Sequence, residues 1–362
     1  MTNNQMEFAI NCGLANMTPN FARAINALRD GKIILLLDAH DRENEGDLLI
    51  AAEKITAESM NFLIKKGSGV VCLAMPKSRL DELGLPLMIP DNTNFFQTAF
   101  TVSIEAKTGV TTGVSARDRA HTIQVAIADN AESSHLARPG HVFPLSARKN
   151  GIFDRMGHTE GSVDLMRIAG LKPGAVLCEL MSEDGSMTTG EDRVKFAKSM
   201  DMPVVTIEEV LFYRIQTESV MTKSVKELPS RFGKLVWTSY RYFDQVSVDV
   251  FHQEKFLAKA NAVRLAVDSG GNIFKRFLAQ ALLQTSDDAL VHALTRIAKG
   301  EADVSIICHS EQTAKAFGEI SLLENASICR SMQDLGVRAI DVGQLDAEIA
   351  RIANTYFSIG LE

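Results

Sequence analysis

The sequence predicts an α/β (α+β) protein of two domains: an N-terminal domain on a mixed sheet, then a C-terminal α/β domain. Three observations predict it. Short apolar runs, KIILLLD, GVVCLAM and AVLCELM, read as buried strands and alternate with segments of helical periodicity. Polar, glycine-containing segments follow several of these strands, where open α/β sheets commonly bind ligands. The 362 residues also exceed the roughly 100–200 of one domain. The expected domains are residues 1–217 and 226–362.

Each element has a local reason. Thr18-Pro19 opens a helix, because Pro is tolerated in the first turn. Phe21, Ile25 and Leu28 then share one face, and Gly31 offers a stop. After KIILLLD, a helix is expected from Thr56 to Lys66, ending at Gly67, and then the strand GVVCLAM, ended by Pro76. PLMIPDNTN is turn-rich, and TAFTVSIEA alternates as a strand does. Ser115 to Asp118 fits a capping box before the helix RDRAHTIQVAIAD. RPGHVFPLSARKNGIFDRMGHTEG reads as a loop, followed by helix SVDLMRIAG with Ser162 as its cap, strand AVLCELM, and a last helix and strand in EDRVKFAKSMDMPVVTIEEV. IQTESVMTKSVKELPSRFG reads as a polar linker. Beyond it, KRFLAQALLQ and DDALVHALTRIAKG read as helices and ADVSIICH as a strand.

Composition excludes several classes. A balance of 38 basic against 45 acidic residues, net −7, gives no reason to expect nucleic acid or an anionic membrane as partner. No apolar run approaches the about 20 residues that cross a bilayer. Five cysteines, an odd number without CxxC, and a start lacking the pattern of a signal peptide lead us to expect a cytoplasmic protein.

Five places could carry chemistry. DAHDRENEGD, from Asp38 to Asp47, crowds five acids at the end of an apolar strand with one arginine, Arg42. Carboxylates so close repel unless a cation sits among them, and their oxygens suit Mg²⁺ or Mn²⁺; an acidic run can equally be a solvated loop. In RMGHTE, Gly157 permits close backbone approach, His158 can ligate a metal or move a proton, and Arg155 can hold a phosphate. Alternatively His158 is a structural residue near a helix start. His121, His135, His141 and His158 put four of the eight histidines within about forty residues, which sets the functional reading level with the structural one. His141 follows a Pro-Gly turn and could instead cap carbonyls. Glu179, between apolar neighbours, would have a raised pKa if buried, as acid–base work needs, or would stand at the surface. GVTTGVSARD ends on a helix start that could hold a phosphate or be capped in the ordinary way. Cys72 reads as a core residue rather than a catalytic thiol.

Taken in order, ILLLDAHDRENEGD, GSGVVCL, FTVSIEA, GVTTGVSARDR, RPGHVFPL, RMGHTE and VLCEL span nearly all of the first domain and resemble 3,4-dihydroxy-2-butanone 4-phosphate synthase. The resemblance implies a homodimeric enzyme of riboflavin biosynthesis that converts ribulose 5-phosphate, with Mg²⁺, to 3,4-dihydroxy-2-butanone 4-phosphate and formate. It implies Glu43 and His158 as metal ligands. It implies Arg42, Asp47, Arg155, Met156, Gly157, His158, Thr159 and Glu179 as substrate contacts, with Thr112 on the phosphate, and His141 and Glu179 as essential for catalysis. Glu45 stands beside the ligand in sequence.

ELPSRFGKLVWTSYR and ENASICRSMQDLGVRAIDV resemble parts of GTP cyclohydrolase II. That enzyme needs a three-cysteine zinc site, whereas only Cys308 and Cys329 follow Cys178 here, far apart. Where the arginine-rich catalytic stretch is expected stands ICHSEQT. The expectation is a degenerate GTP cyclohydrolase II-like domain serving dimerisation, stability or regulation. The alternatives are a bifunctional enzyme retaining the cyclohydrolase activity, or a scaffold module.

Overall fold

Thr18 opens the first helix as its sequence requires: its hydroxyl accepts the Phe21 N–H at 3.2 Å, at the start of α1 (Pro19–Arg29). Phe21, Ile25 and Leu28 are fully buried, each worth about 1.5–3 kcal/mol of apolar transfer. The structure, a computed structural model, describes residues 18–38, 42–218, 221–230, 233–242, 246–253, 263–269, 304–310, 322–335, 339–341, 351–352 and 360–361. The chain divides into two compact units at Leu211/Phe212.

In the first unit, β1 (Ile34–Leu37) and β2 (Gly46–Ala51) form an antiparallel pair whose connection is the acidic stretch. Helix α2 (Ala57–Lys66) is capped by Thr56 and followed by β3 (Cys72–Pro76) and α3 (Lys77–Glu82). Next come β4 (Ile104–Ala106), α4 (Ala116–Ile127), β5 (Leu136–Ala147), α5 (His158–Ile168) and β6 (Ala175–Glu179). Helix α6 (Gly190–Ser199) and β7 (Val204–Thr206) follow, and α7 (Ile207–Thr217) runs across the division between the units. The seven-stranded sheet has the order β4-β5-β3-β6-β2-β1-β7. Its β1–β7 and β3–β5 pairs are parallel and the others antiparallel, so it is mixed, as expected.

Several local expectations are corrected. The segment read as a loop from Arg138 to Ala147 lies in the twelve-residue strand β5, because its apolar residues Val142 and Leu145 are buried between β3 and β4. TAFTVSIEA yields only the three-residue β4, with Phe100 and Thr101 in isolated bridges. Helix α5 starts at His158 with Gly157 as its cap; Ser162 is inside it, its hydroxyl donating to the Thr159 carbonyl at 3.0 Å. The stretch read as a polar linker holds the end of α7 and the strand β8 (Met221–Ser230).

The second unit has its own seven-stranded sheet, in the order β14-β13-β11-β12-β10-β9-β8. With β8 its strands are β9 (Gly233–Tyr242), β10 (Val246–Gln253), β11 (Val263–Ser269), β12 (Val304–Ser310), β13 (Ala339–Asp341) and β14 (Gly360–Leu361). The strand expected in ADVSIICH is β12. Helix α8 (Leu322–Asp334) is tied to β9 by the buried Tyr242 hydroxyl, 3.0 Å from the Ser327 carbonyl and 2.9 Å from Ser331 Oγ. The helices expected in KRFLAQALLQ and DDALVHALTRIAKG lie outside the described residues. Among the described residues, no helix is long and apolar enough to cross a membrane.

Candidate active site

Three chain segments meet at one end of the first sheet. The β1–β2 connection brings Asp38, Arg42, Glu43 and Glu45, and β2 itself brings Asp47. In the ladder Asp47 lies directly opposite Glu179 of β6. Residues opposite one another on neighbouring antiparallel strands have Cβ atoms about 4.5–5.5 Å apart, so two carboxylates are held close by backbone register alone. The start of α5 then presents His158 and Thr159. Together these segments surround a cavity of about 220 Å³, lined among others by Arg42, Glu43, Asp47, Arg155, His158 and Glu179.

The acidic loop is organised around Asp38. Its fully buried carboxylate accepts from Arg42 Nη1 at 2.6 Å and from the Glu43 N–H at 3.1 Å, both through Oδ2. Oδ1 is buried without a protein partner. Arg42 also pairs with Glu43 at 2.9 Å and lies 5.3 Å from the ring centre of Phe96. Burial would lower the Arg42 pKa, but the adjacent Asp38 and Glu43 outweigh it and raise it. On the next turn, Asn44 adopts a left-handed backbone, φ 53°, and accepts from Arg193 Nη2 of α6 at 2.8 Å.

His158 Nδ1 lies 3.7 Å from Glu43 Oε2 and 3.5 Å from Asp47 Oδ1. Its Nε2 and the Asp47 Oδ1 are buried without hydrogen-bond partners. Burial, aided by Arg42, Arg155 and Arg193 against the opposing pull of Asp38, lowers the His158 pKa to about 4, so the imidazole is neutral at pH 7. Burial raises the Asp47 pKa well above its usual value, with Glu179, Glu43, Glu45 and Asp38 adding to it, and Glu45 is raised by the same kinds of cause. A neutral imidazole among buried carboxylates with orphaned oxygens is a donor set for a divalent cation. Ligand atoms of Asp38, Glu43 and His158 all lie within 4.8 Å of one another.

Arg155 builds the opposite wall. It pairs with the buried Glu160 at 2.8 Å, and its guanidinium donates to the Phe96 carbonyl (3.0 and 3.3 Å) and to Thr98 Oγ1 (3.2 Å). A Cβ on Gly157 would come 2.2 Å from Arg155 Nη1 and 3.2 Å from Arg42 Nη2, so only glycine leaves both guanidiniums in place.

Of the residues expected at the site, Arg42, Glu43, Asp47, Arg155, His158, Thr159 and Glu179 line the cavity, and so does Glu45. Gly157 is packed behind the guanidiniums, and Met156 is not among the lining residues. His141 and Thr112 are elsewhere. His141 is half-exposed, with Nδ1 3.3 Å from Glu105 Oε1, and Thr112 is exposed. The helix start after GVTTGVSARD is capped internally: Ser115 accepts the Asp118 N–H at 3.1 Å, while Asp118 accepts from Thr111 Oγ1 at 2.7 Å and Gly113 N–H at 3.1 Å. Cys72 is buried in β3 and also lines the cavity, and burial with Glu179 and Asp47 nearby pushes its thiol well up, which disfavours a thiolate there. Sequence reasoning did not single out Asp38 as a ligand, nor Arg193. The signal for Asp38 was its place at the strand end; Arg193, in the charged run GEDRVKFAK, gave none.

The fold and cavity fit a class: an α/β enzyme for a small anionic substrate, with buried carboxylates and an imidazole arranged as a donor set for a divalent cation. A profile of 3,4-dihydroxy-2-butanone 4-phosphate synthase matches residues 22–213, more than half of the chain. The chain belongs to this family. The synthase of Pectobacterium carotovorum subsp. carotovorum (strain PC1) is 54% identical over 203 residues, 56% of this chain and 94% of that protein. That of Photorhabdus laumondii subsp. laumondii is 58% identical over 191 residues, 53% and 88% of the two chains. Among solved structures, RibBX, a two-domain 3,4-dihydroxy-2-butanone 4-phosphate synthase from A. baumannii, matches with a TM-score of 0.70 at 27% identity, covering 91% of this chain and 97% of its own. A synthase in complex with two magnesium ions matches 54% of this chain and 96% of its own, with a TM-score of 0.52 at 39% identity.

Proposed function

We propose that this chain is a Mg²⁺- or Mn²⁺-dependent lyase that converts D-ribulose 5-phosphate to 3,4-dihydroxy-2-butanone 4-phosphate and formate in riboflavin biosynthesis. The observation that carries the reading is the meeting of Glu43 and His158, far apart in sequence, with Asp38 inside 4.8 Å, in a cavity that also holds two guanidiniums and Glu179. A bound divalent cation polarises the ketose oxygens and offsets the negative charge that develops there. Glu43 and His158 would hold it, with Asp38 as a third candidate ligand.

The side chains supply the rest. Arg42 and Arg155 line the cavity beside His158 and Thr159 at the start of α5, a positive lining suited to the phosphate. Glu179 takes and returns protons at the carbons beside the carbonyl. Loss of water, skeletal rearrangement and departure of one carbon as formate need several proton transfers, which the clustered carboxylates can serve. The enzyme acts as a homodimer whose second copy brings His141 and Thr112 to the cavity. This reading is supported by exposed Met88, Ile89 and Phe95 beside the cavity residues Asn94 and Phe96. It works in the cytoplasm, in keeping with the free thiols of Cys72 and Cys178.

The second unit is a degenerate GTP cyclohydrolase II-like domain without GTP hydrolysis, its role dimerisation, stability or regulation. A zinc determination on the purified chain tests this: one tightly held zinc per chain, with GTP turnover, would restore the bifunctional reading. The main proposal is tested by incubating the chain with ribulose 5-phosphate and Mg²⁺, with and without a chelator. Chelator-sensitive formate is the expected result; no formate from folded, metal-supplied protein would overturn it.

A further inference from the structure

We infer that Ser68 is a positioning residue that fixes the carboxylate of Glu179 for proton transfer. The inference rests on the reading of Glu179 as the acid–base group. Ser68 grips Glu179 twice. Its hydroxyl donates to Glu179 Oε2 at 2.6 Å, and its backbone N–H donates to the Glu179 carbonyl at 2.8 Å. Glu179 Oε1 has no protein partner among the described residues, and Glu179 lines the cavity. One oxygen is therefore anchored and the other left for substrate. A carboxylate at a strand end, opposite Asp47 in the ladder, would otherwise swing away from its like-charged neighbour.

The loop is built to deliver this hydroxyl. Gly67 ends α2, its N–H bonded to the Leu63 carbonyl at 2.8 Å, and bridges to Leu180. A Cβ there would come 2.5 Å from Cys178 Sγ and 2.9 Å from the Glu179 carbonyl oxygen, so the chain can pass this close to β6 only as glycine. Gly69 turns the chain away with φ +84°, a left-handed conformation that favours glycine. The Val70 N–H then donates to Ser68 Oγ at 3.2 Å, which orients the hydroxyl proton toward Glu179. Arg119 of α4 holds the far side through the Gly69 carbonyl at 3.1 Å. The motif GSG thus has a division of labour: two glycines for approach and exit, one serine for the contact.

The test uses the full chain and four variants: Ser68→Ala, Ser68→Thr, Glu179→Gln and the double variant Ser68→Ala/Glu179→Gln. Turnover of ribulose 5-phosphate and the Mg²⁺-induced rise in melting temperature are measured for each. Ser68→Ala is expected to lower kcat about 10- to 100-fold, the worth of one hydrogen bond to a charged group. KM and the metal-induced rise should stay near wild type. Ser68→Thr, which keeps the hydroxyl, should recover most of kcat, and Ser68→Ala should cost nothing further on the Glu179→Gln background. Wild-type kcat in Ser68→Ala alongside an inactive Glu179→Gln would overturn the positioning role and leave Glu179 in place. An equal further loss on the Glu179→Gln background would also overturn it. Wild-type turnover in Glu179→Gln would instead overturn the reading of Glu179 itself, and the inference with it.

Discussion

Replacing Glu43 by alanine separates the metal from the fold. The Glu43 carboxylate is only 17% exposed, pairs with Arg42 at 2.9 Å and faces His158 at 3.7 Å. It also raises the pKa of both Asp47 and Glu45, so in the metal-free protein it repels its neighbours. Its removal costs Arg42 one of two ionic partners, but Asp38 still holds that side chain at 2.6 Å. The two effects oppose one another, and the metal-free melting temperature should move by less than the shift that about 1 kcal/mol produces, some 2–4 °C for a domain of this size. The metal-bound state is another matter. A cation at 100 times its Kd stabilises the native protein by about 2.7 kcal/mol, or roughly 5–11 °C by the same conversion. Titrating Mg²⁺ during thermal unfolding, read by circular dichroism, should show that rise in the wild type and almost none in Glu43→Ala. Formate production should fall at least about 100-fold, as expected when a group that sets the metal's position is lost. A variant that keeps the full metal-induced rise would refute the assignment of Glu43, whatever its activity.

Three further outcomes follow from the same geometry. Arg155→Ala strands the buried Glu160 and releases the Phe96 carbonyl and Thr98. Stability should drop by about 3 kcal/mol, as for a broken buried pair, and KM should rise; a denaturant titration with unchanged midpoint would contradict this. Gly157→Ala, with its Cβ 2.2 Å from Arg155 Nη1, should raise KM for ribulose 5-phosphate about tenfold or more while the Mg²⁺-induced melting shift survives; an unchanged KM would show that the guanidiniums do not bind substrate. Cys72→Ala should cost about 1–2 kcal/mol of stability through lost packing yet retain turnover, and iodoacetamide should not inactivate the native enzyme at neutral pH. Rapid inactivation traced to Cys72 would overturn its assignment as a core thiol.

The legible part of the site was the part written in local chemistry. Five acids after an apolar strand announce mutual repulsion wherever the chain goes, and RMGHTE carries an arginine, a glycine and a histidine in one turn. Helix α1 was legible for the same reason: Thr18, Pro19 and Gly31 act through their own backbone neighbours. Errors arose where tertiary contacts override local preference. RPGHVFPL reads as a loop, yet Val142 to Ala147 are strand because β4 pairs at Val142 and β3 from Phe143 onward, while Arg138 to His141 fall at a register shift of the β4 ladder, where the turn-like sequence shows through. Arg193 reads as one more surface charge on a helix, and its contact with Asn44 depends on how α6 packs.

By itself, then, the sequence determined which residue types are available: carboxylates, an imidazole and guanidiniums in ordered motifs that carry the family resemblance. Only the tertiary structure decided which of them meet. The register that sets Asp47 opposite Glu179, the convergence of Asp38 and Glu43 with His158, and the grip of Ser68 on Glu179 are all contacts between distant segments. The physical reason is that such contacts are set by strand pairing and core packing, which sum over the whole domain, whereas a motif reports only the preferences of its own few residues.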